Sequence, residues 1–118
     1  MKEKLFNSEL KVMEILWEKG PIPAKQVSLI AAETIGWNKN TTYTVIKKLV
    51  DKGFISRGEP GFICTPLVSK EQMQKSEAAS LVKKLFGGSR QALFSALLTD
   101  EPLTEEEVDA LRELIEQR

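Results

Sequence analysis

Between Asn38 and Arg57 the chain concentrates side chains suited to one kind of chemistry, the recognition of a nucleic-acid duplex. Val45/Leu49 and Ile46/Val50 are two i,i+4 pairs, so a helix through this stretch carries a core-facing apolar stripe. Asn40, Tyr43, Thr44 and Lys47 then fall on the opposite side. Amides and hydroxyls bond base edges, a threonine methyl touches thymine, and lysine neutralises phosphate. Asn38 suits the N-cap, where its side chain accepts a backbone N–H, and Gly53 suits the left-handed position just past the helix end. Within 39–57 the basic residues Lys39, Lys47, Lys48, Lys52 and Arg57 face Asp51 alone. For an isolated helix a merely solvated polar face is the plainer explanation, so the neighbouring elements decide.

Those neighbours are legible. A first helix is predicted from about Asn7 to Lys19, with Leu10, Met13, Leu16 and Trp17 on one face and Gly20-Pro21 ending it. Ile22 is a short extended residue between two prolines. A second helix, about Ala24 to Ile35, would bury Val27, Ile30 and Ala31 before Gly36 closes it. After the third helix, Phe54-Ile55-Ser56-Arg57 reads as a strand, Gly58-Glu59-Pro60-Gly61 as a turn and Phe62-Ile63-Cys64-Thr65 as the returning strand. The expected fold is mainly α with a small β-hairpin, a winged helix-turn-helix whose third helix enters the major groove while the hairpin lies over nearby backbone. Arg57 is the strong cation of this short wing and should add a phosphate contact with little base reading.

Composition narrows the function class. The chain has 118 residues, 42% hydrophobic and 29% charged, an ordinary soluble globular balance and enough for one compact domain or a small domain with an appendage. No apolar run is long enough to cross a bilayer and the start, with Lys2-Glu3-Lys4, lacks a signal-peptide pattern, so a cytoplasmic location without a membrane partner is expected. Cys64 is the single cysteine, which rules out an intrachain disulfide and a cysteine metal cluster. With no histidine, imidazole bases, imidazole metal sites and Ser-His or Cys-His pairs are all missing. Glu105-Glu106-Glu107 sits in the first turn of a helix, where it complements the macrodipole. No catalytic residue, metal or cofactor is therefore expected, and the protein is read as a non-enzyme. The net charge of zero conceals an asymmetry: residues 1–68 carry ten basic and seven acidic residues, and 69–118 carry seven and ten. A basic head and an acidic tail fit a molecule in which only the head meets phosphate.

The tail divides from the head at Pro66, giving a winged-helix domain over 1–68 and a helical region over 69–118. Ser69-Lys70-Glu71-Gln72 has capping-box spacing and opens a helix to about Phe86. Gly87-Gly88 breaks it, Ser89 caps a short helix, and Thr104 with Glu107 forms a second capping box for a last helix. Leu81, Leu85, Leu93, Phe94, Leu97, Leu98, Leu111 and Ile115, with Val82, Phe86 and Leu114, exceed what three short helices can cover by themselves. They pack back on the winged helix in a monomer, or meet the same residues of a second chain in an isologous interface. The dimer is preferred, because leaving several such residues wet costs several kcal/mol, at roughly 25 cal/mol per Å² of apolar surface. A single winged helix also needs a partner to read a site of useful length.

Taken together, Ser8-Glu9-Leu10-Lys11-Val12-Met13-Glu14-Ile15-Leu16-Trp17, Trp37 with Thr41-Thr42-Tyr43-Thr44, Leu49-Val50-Asp51-Lys52-Gly53-Phe54-Ile55 and Pro66-Leu67-Val68-Ser69 resemble the penicillinase-repressor family. The Phe86-Gly87-Gly88-Ser89 break and the acidic last helix fit as well, so the resemblance runs through nearly the whole chain. It implies a homodimeric transcriptional repressor with a C-terminal dimerisation arm, binding dyad-symmetric operators of the TACA…TGTA type. It also places base and phosphate contacts on Asn40, Thr41, Tyr43, Thr44, Lys47 and Lys48. Some relatives carry arginine at the position of Tyr43. Two departures stand out. The family's best-known members are cut at an Asn–Phe bond by a β-lactam-sensing membrane protease, but the aligned position here is about Ser95-Ala96. The copper-responsive branch uses C-terminal Cys-x-Cys pairs, which Cys64 alone does not supply; Cys64 reads as a small core-facing strand residue. The resulting expectation is a repressor acting on double-stranded operator DNA as a homodimer, with β-lactam resistance or a related stress response as its target and a sensor-linked protease as a candidate partner. The rival is a winged helix used for protein contact, since this fold does not dictate DNA binding.

Overall fold

The computed structural model describes residues 5–117; the Lys2-Glu3-Lys4 stretch lies outside them. Along the described chain run helix α1 (Asn7–Lys19), strand β1 (Ile22–Pro23), helices α2 (Ala24–Thr34) and α3 (Lys39–Asp51), strands β2 (Ile55–Gly58) and β3 (Ile63–Pro66), and helices α4 (Lys70–Phe86), α5 (Arg90–Asp100) and α6 (Glu105–Glu116). Two compact units result, the first ending at Ser76 and the second starting at Glu77, so the opening turns of α4 belong to the first.

The first unit is a winged helix. Its core gathers Val12, Met13 and Leu16 of α1, Val27 and Ala31 of α2, Val45, Ile46 and Leu49 of α3, and Phe54, Ile55 and Cys64 of the hairpin. Met73 joins them from the first turn of α4. The Trp17 indole N–H donates to the Val68 carbonyl at 2.9 Å, which ties the segment after the wing to α1. The three strands form an antiparallel sheet in the order β1-β3-β2, with Ile22 opposite Cys64 and Arg57 opposite Cys64 on the other side. Ile22, an isolated extended residue by sequence, is thus the start of a third strand. Both hairpin strands begin one residue later than their apolar runs indicate, and Gly58 ends β2 instead of opening the turn.

Local chemistry sets the helix ends. The second unit's α5 opens at Ser89, whose hydroxyl accepts from the Ala92 N–H at 3.0 Å. At the start of α6, Thr104 and Glu107 exchange bonds of 3.0 and 3.1 Å in a capping box. Ser69 and Gln72 do the same for α4, at 2.8 and 3.0 Å. Among the described residues α5 and α6 bury no side chain.

Candidate nucleic-acid interface

Helix α3 is built to be seen from one side only. Asn38 caps it, its Oδ1 accepting from the Thr41 N–H at 2.8 Å. At the other end the Gly53 N–H donates to Val50 and the Phe54 N–H to Leu49, at 3.1 and 3.0 Å. This is a Schellman stop, and it needs the positive φ of +84° at Gly53, which glycine adopts without strain. Phe54, fully buried, then locks the helix end to the core. Thr42, Val45, Ile46 and Leu49 form the inward face. Val50, expected on the same stripe, is half-buried against the core.

The outward face carries Asn40, Thr41, Thr44, Lys47 and Lys48, all exposed. Asn40, Thr41, Thr44 and Lys48 line an open hollow of about 450 Å³, whose other walls include Ser8 of α1 and Trp37. Base-bonding groups therefore surround a concavity with a cation at its rim. Lys47 lies one step round the helix and pairs with Asp51 at 3.3 Å, both side chains well exposed. An exposed i,i+4 pair of this kind contributes only about 0.3–0.5 kcal/mol, so it yields readily to a phosphate.

Tyr43 is less available than its helical position suggests. It is half-buried, with its ring edge-on to Phe62 at a centroid distance of 6.2 Å and an interplanar angle of 80°. Lys39 Nζ lies 5.8 Å above the same ring. Phe62 closes the turn between β2 and β3, so the aromatic pair fastens the wing to the helix. Arg57, in β2, is engaged too: its Nε donates to Glu59 Oε2 at 2.6 Å and its guanidinium carbon sits 4.0 Å from the Phe62 ring centre.

The local cationic excess is thus smaller than the segment's composition implies. Glu59 answers Arg57, and Glu9 of α1 answers Lys52 at 2.9 Å. Glu9 is 1% exposed: it lies three, four and seven residues before Val12, Met13 and Leu16, on the apolar face of α1, although its charge argued against burial. A second signal is its spacing from Phe6, whose backbone N–H donates to Glu9 Oε1 at 2.9 Å, half of a capping box. Among the described residues no group of histidine, cysteine, aspartate or glutamate side chains is placed to hold a metal. Burial pushes the Cys64 thiol up to about 11, which makes it a poor nucleophile.

The apolar residues expected in a dimer interface lie in the second unit and the part of α4 that enters it. Leu81, Leu85, Phe94, Leu97, Leu98, Leu111 and Ile115 are exposed, and Leu93 is half-buried. No helix among the described residues is long and apolar enough to cross a membrane.

Comparison with known proteins agrees with this geometry. The family described as penicillinase repressor matches residues 5–117. The methicillin resistance regulatory protein MecI of Staphylococcus aureus is 24% identical over 117 residues, covering 98% of this chain and 95% of its own. A solution structure of the DNA-binding domain of the repressor BlaI superposes with a TM-score of 0.55 at 26% identity, over 61% of this chain and 93% of that one. Monomeric BlaI of Bacillus licheniformis, solved in complex with the blaP half-operator, shares the fold with a TM-score of 0.54 at 24% identity, over 61% and 90% of the two chains.

Proposed function

The chain belongs to the penicillinase repressor family of DNA-binding repressors, and we propose that it acts as a homodimer on dyad-symmetric operators of the TACA…TGTA type. The observation that carries this reading is the two-sidedness of α3. One face is sealed into the core by Thr42, Val45, Ile46 and Leu49, and the other presents Asn40, Thr41, Thr44 and Lys48 around an open hollow, with exposed Lys47 beside it. Thr41 and Thr44 offer methyl and hydroxyl to base edges, and Asn40 offers a bidentate amide to adenine or a bond to phosphate. Lys47 and Lys48 supply backbone charge. Tyr43 packs on Phe62 and contributes its hydroxyl edge to the groove wall.

Dimerisation through the second unit is supported by its exposed apolar side chains. Leu85, Leu97 and Ile115 are each more than 60% exposed, and fully covering one such side chain is worth about 1.5–3 kcal/mol. In this reading the head, a winged-helix domain over 1–68 with the opening turns of α4 packed against it as far as Ser76, reads DNA, and the rest of the helical region assembles the dimer. The target is resistance to β-lactams or a related stress response, in keeping with the names its relatives bear. Release by a sensor-linked protease would act near Ser95-Ala96, exposed on α5; an enzyme selecting Asn–Phe finds no such bond there.

A second reading, a winged helix serving protein contact, draws on the pairing of Lys47, Lys52 and Arg57 with carboxylates. Fluorescence anisotropy of a labelled TACA…TGTA palindrome against a scrambled duplex, over a salt series, separates the two. Preference for the palindrome with two chains per duplex supports the repressor. Equal weak binding to both favours the protein-contact module.

A further inference from the structure

The wing carries a carboxylate where a DNA-binding wing would be expected to carry only cations. Glu59 sits in the turn after β2 and binds in two directions. Its Oε2 accepts from Arg57 Nε at 2.6 Å, and its Oε1 accepts from the Phe62 backbone N–H at 3.3 Å. Phe62 has a left-handed φ of +52°, unusual for a residue with a side chain. Its conformation is held by that bond, by its carbonyl accepting from the Ala24 N–H at 2.9 Å, and by its ring, which lies against the Arg57 guanidinium and meets Tyr43 edge-on. One chain of contacts thus runs Glu59, Arg57, Phe62, Tyr43, from the wing tip to the reading helix.

The consequence is electrostatic. Arg57 and Glu59 are about equally exposed, 55% and 57%, so the pair faces solvent as a near-neutral unit. Bringing Arg57 and Glu59 together cancels most of the wing's long-range attraction for phosphate, although the guanidinium edge away from Nε keeps its N–H groups. The Arg57 guanidinium holds the Glu59 carboxyl below its ordinary range, so the carboxylate stays charged at neutral pH.

We propose that Glu59 is a built-in competitor for Arg57, a carboxylate standing where a DNA phosphate would otherwise bind, and that it restrains sequence-independent binding by the wing. This rests on the DNA-binding reading above. The wing then meets the duplex only by sharing or breaking an ion pair, so recognition leans on the base-reading groups of α3.

The test is Glu59→Gln, which keeps the side chain's shape and an oxygen for the Phe62 N–H but removes the charge. Wild type, Glu59→Gln, Arg57→Ala and the double variant are titrated by anisotropy against the palindrome and the scrambled duplex from low to high salt. Glu59→Gln should bind both duplexes about two- to fivefold more tightly, a range set by the strength of exposed ion pairs. Its slope of log affinity against log salt should steepen by up to about 0.9, one phosphate's share. The gain should shrink in the Arg57→Ala background. A gain in affinity is not a result that misfolding can produce. Equal or weaker binding by Glu59→Gln overturns the inference and makes Glu59 a positioning residue for Arg57. So does a gain of equal size in both backgrounds, which means that Glu59 simply repels the backbone. Absence of salt-dependent binding by wild type to either duplex overturns the DNA-binding reading, and this inference with it.

Discussion

Replacing Lys52 with alanine should destabilise the winged helix more than any other single surface-lysine change. Its ammonium lies 2.9 Å from Glu9 Oε1 and 4.3 Å above the Phe6 ring. Glu9 is 1% exposed and Lys52 18%. Without Lys52 the buried carboxylate retains the Phe6 N–H on Oε1, while Oε2 already has no hydrogen-bond partner. Breaking a buried pair by removing one member costs about 3–5 kcal/mol. Because Lys52 is partly exposed, water can enter the vacated space and soften the loss to somewhat below that range, about 2–3 kcal/mol. For a domain of this size that corresponds to a fall in Tm of roughly 10–20 °C. Urea unfolding followed by the fluorescence of Trp17 and Trp37 gives the number directly. The control is Glu9→Gln with Lys52→Met, which leaves no buried charge and should lose about 1 kcal/mol or less. Two results would refute the reasoning: a loss under about 1 kcal/mol for Lys52→Ala, or a double variant as unstable as the single one. DNA affinity at temperatures well below melting should be retained, since Lys52 is directed at Glu9.

Four further tests bear on the site and the assembly. Lys48→Ala should weaken binding to all duplexes and reduce the salt slope by about 0.9, whereas Thr44→Ala should lower the preference for the palindrome over scrambled DNA; unchanged anisotropy in both would remove α3 as the reader. Asn38→Ala deletes the cap on Thr41 and should cost about 1 kcal/mol, measured by the same urea titration. Leu97→Asp places a charge among the exposed apolar residues of α5, and sedimentation should show monomers where the wild type gives dimers. Cys64 should react with a disulfide reagent at pH 8 far more slowly in the folded protein than in urea. The folded thiol ionises only near 11, against an ordinary value of 9.0, so its contribution to stability is present below pH 9 and is lost as pH rises toward 11.

Signals that act over three or four residues were legible in the amino-acid order alone. Asn38, Ser69, Ser89 and Thr104 each accept the backbone N–H that their place before a helix implies. Gly53 takes the left-handed conformation that a helix stop requires. The pairs Val45/Leu49 and Ile46/Val50 announced the inner face of α3, and by subtraction the outer one, because a helix repeats every 3.6 residues. Tertiary structure decided what depends on residues far apart in the chain. Ile22 became a strand only because Cys64 returns beside it. Glu9 and Lys52, 43 positions apart, meet because α1 packs across the end of α3. Tyr43 lost part of its outward face to Phe62, and Arg57 lost its free charge to Glu59, through a turn geometry that no periodicity encodes. Composition counts charges along the chain, but the potential that a phosphate meets depends on which of them folding brings within about 3 Å of each other.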